Sequence, residues 1–166
     1  MIGYISYILQ TICLRFGGVK SMDSRYDALK LENQLCFPLY ACSRNVIREY
    51  KPFLDRLDLT YTQYIAMLVL WERGSMTVKE LGEALYLDSG TLTPLLKKLE
   101  AKGLITRKRS TADERNLILT LTKAGTAMRD EAAHIPTELA KKVPLSPEEA
   151  RTLYELLYKV LGNLEA

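Results

Sequence analysis

Residues 76–122 read MTVKELGEALYLDSGTLTPLLKKLEAKGLITRKRSTADERNLILTLT, in which two amphipathic runs precede a charged hairpin. Thr77 and Glu80 stand at the T-x-x-E spacing of a capping box, where each side chain accepts from a backbone amide that the helix leaves free. Apolar residues then recur at helical spacing from Leu81. The pattern predicts a short helix after Thr77 that ends at a turn around Tyr86.

A second helix is predicted to begin after this turn. Asp88 is a suitable N-cap, because its carboxylate can accept from the free amides of a first helical turn. Pro94 offers an alternative start, with Thr93 as the cap and the proline in the first turn. The buried face carries four leucines, Leu92, Leu95, Leu96 and Leu99. The opposite face is small and polar, as close approach to a major groove requires, and comprises Gly90, Thr93, Pro94 and Lys97.

A basic hairpin follows the second helix. Gly103 is suited to end that helix in a left-handed conformation. Residues 104–108 and 117–121 are short strand-like runs, and the alternating leucines of the second run indicate one buried face. The charged side chains between and beside the runs are Arg107, Lys108, Arg109, Asp113, Glu114 and Arg115.

The positive charge of the chain is concentrated in the same segment. Residues 88–116 hold seven Lys or Arg and four Asp or Glu, while the remaining residues carry 16 of each sign. The whole formal net charge of +3 therefore lies where a phosphate-binding surface needs it. A charged hairpin alone is equally typical of a solvated surface, but beside a small-faced helix it favours nucleic-acid binding. The pattern predicts a mainly α fold with a small β-wing, a winged helix-turn-helix.

The run LDSGTLTPLLKKLEAKGLITRKRSTADERNLILTLT, residues 87–122, resembles the MarR family of winged-helix repressors. That family carries a D-x-R motif in its wing, matched here by Asp113 and Arg115. The resemblance implies that Asp113 stabilises the wing and that Arg115 enters the minor groove of a double-stranded DNA operator. We expect Lys97 and the wing cations to bind phosphates, and Ser89, Thr91 and Thr93 to lie near base edges.

The composition is that of one soluble globular domain, with 166 residues, 48% hydrophobic and 26% charged. The cysteines, Cys13, Cys36 and Cys42, form no C-x-x-C pair, and His134 is the only histidine. Zinc-site spacings are therefore excluded, and we predict no metal and no cofactor. Phosphate-loop, dinucleotide and Ser-His-Asp patterns are also missing. We expect a cytoplasmic protein that is not an enzyme.

Residues 1–21 differ in character from the rest, since they are apolar up to Phe16 and then rich in glycine. The apolar run is short for a membrane span, and it lacks the positive start and cleavage site of a signal peptide. We interpret it as a dispensable extension before a single domain of residues 22–166, with no membrane partner. The alternative is a short amphipathic helix packed on a dimer or a membrane surface.

Residues 27–50 are predicted to form the first helix of the domain, because their apolar positions recur mostly four and seven residues apart. Pro38 must either kink this helix or mark a new start. Cys36 precedes the proline. A cysteine in such a helix, considered alone, is most often an inert small hydrophobe.

Residues 30–72, KLENQLCFPLYACSRNVIREYKPFLDRLDLTYTQYIAMLVLWE, resemble the branch of the MarR family that regulates organic hydroperoxide resistance. The resemblance implies that Cys36 is the peroxide-reactive residue. It also implies that Tyr50 and Tyr61 of the partner subunit hydrogen-bond its thiolate, with Tyr40 nearby. The chemistry fits, because a thiolate attacks peroxides and phenol donors favour the anion.

Cys42 is the obvious rival or partner of Cys36. Six residues of helix separate the two by about 9 Å of rise, with side chains about 120° apart, so they cannot bridge within one regular helix. No cysteine follows residue 42. We therefore expect single-cysteine chemistry, in which the oxidised sulfur is capped by a small thiol, cyclises onto a backbone nitrogen or is overoxidised.

The remaining elements complete the predicted architecture. Thr60 and Gln63 open a helix that Gly74 ends, and a winged helix-turn-helix DNA-binding lobe spans residues 60–122. Trp71 is assigned to the core. A long helix is predicted from Thr122 to about residue 142, and a last helix begins at Ser146, Pro147 and Glu149.

The last helix presents a broad apolar face that needs a partner, with Leu153, Leu156, Leu157, Val160, Leu161 and Leu164 on it. Residues 27–50 and 123–165 are therefore assigned as dimerisation helices. A second copy of the same helices would give an intertwined two-fold homodimer that reads a pseudo-palindromic operator.

The sequence is compatible with three functions. The leading hypothesis is a homodimeric repressor that senses organic hydroperoxides by oxidation of Cys36 and then releases its operator. The second is a MarR-type repressor relieved by a small aromatic ligand. The third is a thiol peroxidase that uses Cys36, although it lacks a resolving cysteine.

Overall fold

The computed structural model of the chain describes residues 26–109 and 116–165. Helices account for most of these residues, and three short antiparallel strands form one sheet. The prediction of a mainly α fold with a small β-wing is confirmed. The chain divides into two compact units, Met1–Arg48 and Glu49–Ala166. Residues 1–21, including Cys13, and the wing residues 110–115 lie outside the described part.

The first long helix begins later than predicted. Two single 3-10 turns, Asp27–Leu29 and Leu31–Asn33, precede α1, which spans Cys36–Leu54. A continuous helix from residue 27 is therefore wrong, and the alternative of a new start near Pro38 is confirmed. Proline is tolerated there because amides of the first helical turn have no intrahelical acceptor.

Helix α2 spans Tyr61–Arg73 and begins with the predicted capping box. The Thr60 amide donates to Gln63 Oε1 over 3.0 Å, and the Gln63 amide donates to Thr60 Oγ1 over 3.3 Å. Gly74 ends the helix with a φ of 77°. Trp71 is buried, and its indole N–H donates to the Gly125 carbonyl over 2.8 Å, as its assignment to the core requires.

Helices α3, Val78–Leu85, and α4, Ser89–Ala101, follow in the predicted order. The sheet has the order β1-β3-β2, with β1 at Met76–Thr77, β2 at Ile105–Arg109 and β3 at Leu117–Leu121. Strand β1 was not predicted, because two residues are too short for any alternation to be visible. It pairs Met76 with Leu119. The core joins α2, α3, α4 and the sheet through Tyr64, Met67, Leu70, Leu81, Leu92, Leu96, Leu99, Ile105 and Leu119.

The predicted long helix after Thr122 is broken. Helix α5 spans Lys123–Ala132 and is capped by Thr122 as expected, but α6 begins anew at Ile135 and ends at Ala140. Pro136 accounts for the break, because a proline inside a helix removes an amide and clashes with the preceding turn.

Helix α7 spans Pro147–Glu165. The Ser146 amide donates to Glu149 Oε2 over 2.9 Å, and the Glu149 amide donates to Ser146 Oγ over 3.3 Å, which confirms the predicted cap. No helix in the described ranges is long and apolar enough to cross a membrane.

Candidate DNA-binding surface and cysteine site

The turn between α3 and α4 is closed tightly. Tyr86 ends α3 in the left-handed region, with a φ of 55°, and the Leu87 amide donates to the Gly82 carbonyl over 3.0 Å. A Cβ at Gly82 would lie 2.8 Å from the Leu87 carbonyl oxygen, so glycine is needed for this approach. The result is a compact helix-turn-helix with a short connection between α3 and α4.

Helix α4 begins at the predicted cap. Asp88 Oδ1 accepts from the Thr91 amide over 2.9 Å, and Asp88 Oδ2 accepts from the Thr91 hydroxyl over 3.0 Å. These hydrogen bonds lower the pKa of the exposed Asp88 carboxyl. Pro94 lies within the helix, so the alternative start at Thr93 is not the one adopted.

The two faces of α4 divide as predicted. The four leucines, Leu92, Leu95, Leu96 and Leu99, are buried. The small and polar set, Ser89, Gly90, Thr91, Thr93, Pro94 and Lys97, is exposed. The exposed face has few bulky groups, so a base edge or phosphate can approach its backbone closely.

The hairpin of β2 and β3 is anchored to the end of α4 by an ion pair. Glu100 accepts from the Arg107 amide over 3.2 Å and from Arg107 Nε over 2.9 Å. The Arg107 guanidinium lowers the pKa of the Glu100 carboxyl. Arg107 was predicted to bind phosphate as one of the wing cations, and its ion pair with Glu100 was not predicted. This ion pair holds the wing against the end of α4.

The other predicted wing cations divide between described and undescribed residues. Lys108 and Arg109 are exposed on β2. Asp113 and Arg115 belong to residues 110–115 and lie outside the described ranges, so their roles stay predictions from the resemblance.

The two described cysteines, Cys36 and Cys42, are both exposed on α1. Cys36 is the first residue of the helix, and Cys42 follows about 9 Å further along the axis. Tyr40, one turn beyond Cys36, is 60% exposed. Over the ranges 26–109 and 116–165, no group of three or more His, Cys, Asp or Glu side chains is placed to hold a metal ion.

A tyrosine cluster lies in the second unit. The ring centroid of Tyr50 is 5.1 Å from that of Tyr61 and 5.7 Å from that of Tyr64. Burial, with the neighbouring phenols Tyr61 and Tyr64, raises the pKa of Tyr50 to about 12. Burial also raises the pKa values of Tyr61 and Tyr64. All three phenols therefore stay protonated donors at neutral pH. Tyr64 was not predicted as a member of this cluster, although it lies one helical turn from Tyr61.

The outer face of α7 is apolar and open in the single chain. Leu153, Leu156, Leu157 and Leu164 are all exposed, and Leu156 retains 55% of its surface. Tyr154 and Tyr158 stack on the same helix with ring centroids 4.5 Å apart. A contiguous apolar surface of this kind is typical of an interaction site.

Comparison with known proteins agrees with this geometry. Residues 48–132, just over half of the chain, match the family described as "Transcriptional regulator SarA/Rot". The chain is 50% identical over 143 residues to the organic hydroperoxide resistance transcriptional regulator of Bacillus subtilis, and the match covers 86% of this chain and 97% of that protein.

Two solved regulators have the same fold. Reduced AbfR bound to DNA, from Staphylococcus epidermidis, superimposes with a TM-score of 0.71 at 34% identity, over 86% of this chain and 99% of AbfR. AbfR has also been solved overoxidised on DNA, with a TM-score of 0.71, and in a disulfide form, with a TM-score of 0.62. Reduced MarR from E. coli gives a TM-score of 0.62 at 29% identity, over 77% of this chain and 96% of MarR.

The relatives are transcriptional regulators, and the chain shares with them both its sequence and its arrangement of helices and wing. The chain belongs to the MarR and SarA family of winged-helix, DNA-binding transcriptional regulators.

Proposed function

We propose that the protein is a homodimeric repressor that senses organic hydroperoxides through Cys36 and releases its operator when that cysteine is oxidised. The observation that carries the proposal is an exposed Cys36 thiol at the first residue of α1, in a chain half identical to a regulator of organic hydroperoxide resistance. Exposure matters because a hydroperoxide must reach the sulfur.

The DNA-binding part of the proposal is supported by the surface of α4 and its wing. The exposed face of α4 is small enough to enter a major groove, and Lys97, Lys108 and Arg109 extend from the same lobe. By the resemblance, Arg115 would enter the adjacent minor groove. Each phosphate that these cations neutralise releases counterions, so binding should weaken steeply with salt.

The sensing chemistry balances with one cysteine. The Cys36 thiolate attacks one peroxide oxygen, the O–O bond breaks, and the departing alkoxide takes a proton to become an alcohol. The sulfenic acid that remains is two electrons more oxidised, and a small thiol converts it to a mixed disulfide and water. Cys42 is not needed, because helical rise keeps it from bridging to Cys36 on the same helix.

Under this proposal, the tyrosine cluster promotes the attack of the Cys36 thiolate on the peroxide. A phenol with the ordinary pKa of about 10 keeps its O–H at neutral pH, and the raised pKa values of Tyr50 and Tyr61 act in the same direction. Each can therefore donate to a thiolate. We propose that they donate to Cys36 of the partner subunit, with Tyr40 close by. A donor to the anion favours the thiolate over the thiol.

The dimer is supported by the open face of α7. A charged or polar side chain would be expected at each of its leucine positions if water were the permanent neighbour. In a two-fold symmetric dimer, the α7 face of each copy would be covered by the other copy. The same symmetry would set the spacing of the two α4 helices on a pseudo-palindromic operator.

The proposal is tested by DNA retention on the upstream region of the protein's own gene. The reduced protein should retard this DNA, and cumene hydroperoxide with a small thiol should abolish the shift. Release by a phenolic compound without oxidant would instead identify a ligand-relieved repressor. Continuous consumption of hydroperoxide with added thiol would identify a peroxidase.

A further inference from the structure

Helices α1 and α4 end in the same backbone motif. At the end of α1, the Leu59 amide donates to the Leu54 carbonyl over 2.9 Å, and Asp58 has a φ of 50°. At the end of α4, the Leu104 amide donates to the Leu99 carbonyl over 3.1 Å, and Gly103 has a φ of 70°. Both are Schellman closures, in which the residue after the helix turns left-handed and the next one is apolar.

The two closures differ in the left-handed residue. Glycine fills that position after α4, whereas Asp58 fills it after α1 although a side chain is strained there. The contact of Asp58 gives the carboxylate a role. Lys102 Nζ lies 2.8 Å from Asp58 Oδ2 and also donates to the Asp58 carbonyl. The ammonium therefore holds both the side chain and the backbone of the strained residue.

The ion pair joins two turns that are otherwise 44 residues apart in the chain. On either side of it the leucines of both closures are buried, which fixes the turns to the core. Lys102 directly precedes Gly103, the residue through which α4 passes into the wing strand β2. The Lys102 side chain is 28% exposed and the Asp58 side chain is 90% exposed, so the ion pair lies at the surface and Lys102 is its more buried partner.

We propose that Asp58 and Lys102 are positioning residues for DNA binding, which clamp the C-terminal end of α4 to the turn after α1. The clamp sets the tilt of α4 and the origin of the wing. This proposal rests on the DNA-binding part of the proposed function and is independent of peroxide sensing.

The test is a double-mutant cycle with Asp58→Asn and Lys102→Gln. The probe is a duplex that the wild-type protein selects from a random-sequence pool. Asparagine tolerates the left-handed backbone and removes only the charge. Each single variant should weaken binding by about three- to tenfold, and the double variant should bind no more weakly than either single variant, because one interaction is lost in all three.

The direction in which Asp58→Asn changes DNA affinity separates a positioning role from simple repulsion between the carboxylate and DNA. Removing a negative charge near DNA should strengthen binding if Asp58 does nothing else. A Lys102 that itself bound a phosphate would lower the log-log salt slope by about 0.9 in Lys102→Gln, whereas a positioning role leaves the slope unchanged. Lys102→Arg should retain wild-type affinity.

Asp55→Asn is the matched control. Asp55 is an exposed acid at the end of the same helix, and its carboxylate lies 2.8 Å from Lys51 Nζ on its own helix. This variant should bind DNA at least as tightly as wild type. Amide exchange gives a second measurement without DNA, because the Leu104 amide should exchange faster in Asp58→Asn. Tighter DNA binding by Asp58→Asn, or unchanged exchange at Leu104, would overturn the proposal.

Discussion

The winged-helix lobe, residues 60–122, and helix α7 use the same residue, leucine, in opposite ways. In the lobe Leu96 is 1% exposed and packs among residues of its own chain, whereas Leu156 on α7 is 55% exposed. Side-chain caps do not distinguish the two regions, because Thr77 and Asp88 cap helices of the lobe and Ser146 caps α7. The lobe therefore buries its leucines within one chain, whereas α7 leaves an apolar face uncovered in the single chain.

The largest loss of stability is expected when a side chain in the core of the lobe is truncated. Leu96→Ala removes a fully buried side chain and leaves a cavity, so we expect the free energy of unfolding to fall by about 2–5 kcal/mol. Urea denaturation followed by circular dichroism measures this loss. A fall of less than half a kcal/mol would show that the lobe core is not the stabilising unit we describe.

The matched change on α7 should behave differently. Leu156→Ala should cost about 1 kcal/mol per subunit of association free energy if a second copy buries the 55% of this side chain that is exposed in the single chain. Sedimentation at a series of protein concentrations should then detect monomers that the wild type does not form. If both proteins had the same dimer dissociation constant, Leu156 on α7 would not lie in the dimer interface.

A smaller effect is expected at the phenol cluster, which bears on the proposed activation of Cys36. Replacing both Tyr50 and Tyr61 by Phe removes two donors, and we expect oxidation of Cys36 by cumene hydroperoxide to slow by about tenfold. Stopped-flow loss of free thiol measures the rate. Tyr64→Phe is the control, because Tyr64 shares the cluster without a proposed bond to the sulfur. Equal rates in the double variant and the wild type would contradict the donor role.

The smallest effect concerns the cap of α4. Hydrogen bonds lower the pKa of Asp88 in the folded protein, so its contribution to stability is present above the ordinary Asp pKa of about 3.9 and is lost as the pH falls through the folded value. The stability gap between wild type and Asp88→Ala should therefore close in acid. Thr60→Ala removes a cap from a box with no titrating group, and its gap should not change with pH. If wild type remained more stable than Asp88→Ala at pH 2, the contribution of Asp88 would not depend on the charge of its carboxylate.

The same comparison explains what the sequence could predict. Caps at Thr60, Thr77, Asp88 and Ser146 were predictable because a cap is an interaction across three residues. The leucine face of α4 was predictable because the helical period is local. These signals were enough to separate the buried face of α4 from its exposed face.

The failures come from contacts or breaks that local spacing does not express. The break before Ile135 follows from Pro136, which the prediction of one long helix did not take into account. Strand β1 exists only because β3 is there to pair with it. The ion pairs of Arg107 with Glu100 and of Lys102 with Asp58 depend on how elements pack. Arg107 was predicted to bind DNA because of its charge, but its guanidinium is paired with Glu100 of the same chain.

The central claim is that Cys36 alone converts a hydroperoxide signal into loss of DNA. It is tested most directly by measuring operator binding of Cys36→Ser and Cys42→Ser with and without cumene hydroperoxide and a small thiol. Both variants are exposed changes of one atom on the same helix, so both should bind DNA like the wild type when reduced. We predict that Cys42→Ser is released by the hydroperoxide and that Cys36→Ser stays bound. Normal release of Cys36→Ser would contradict the account.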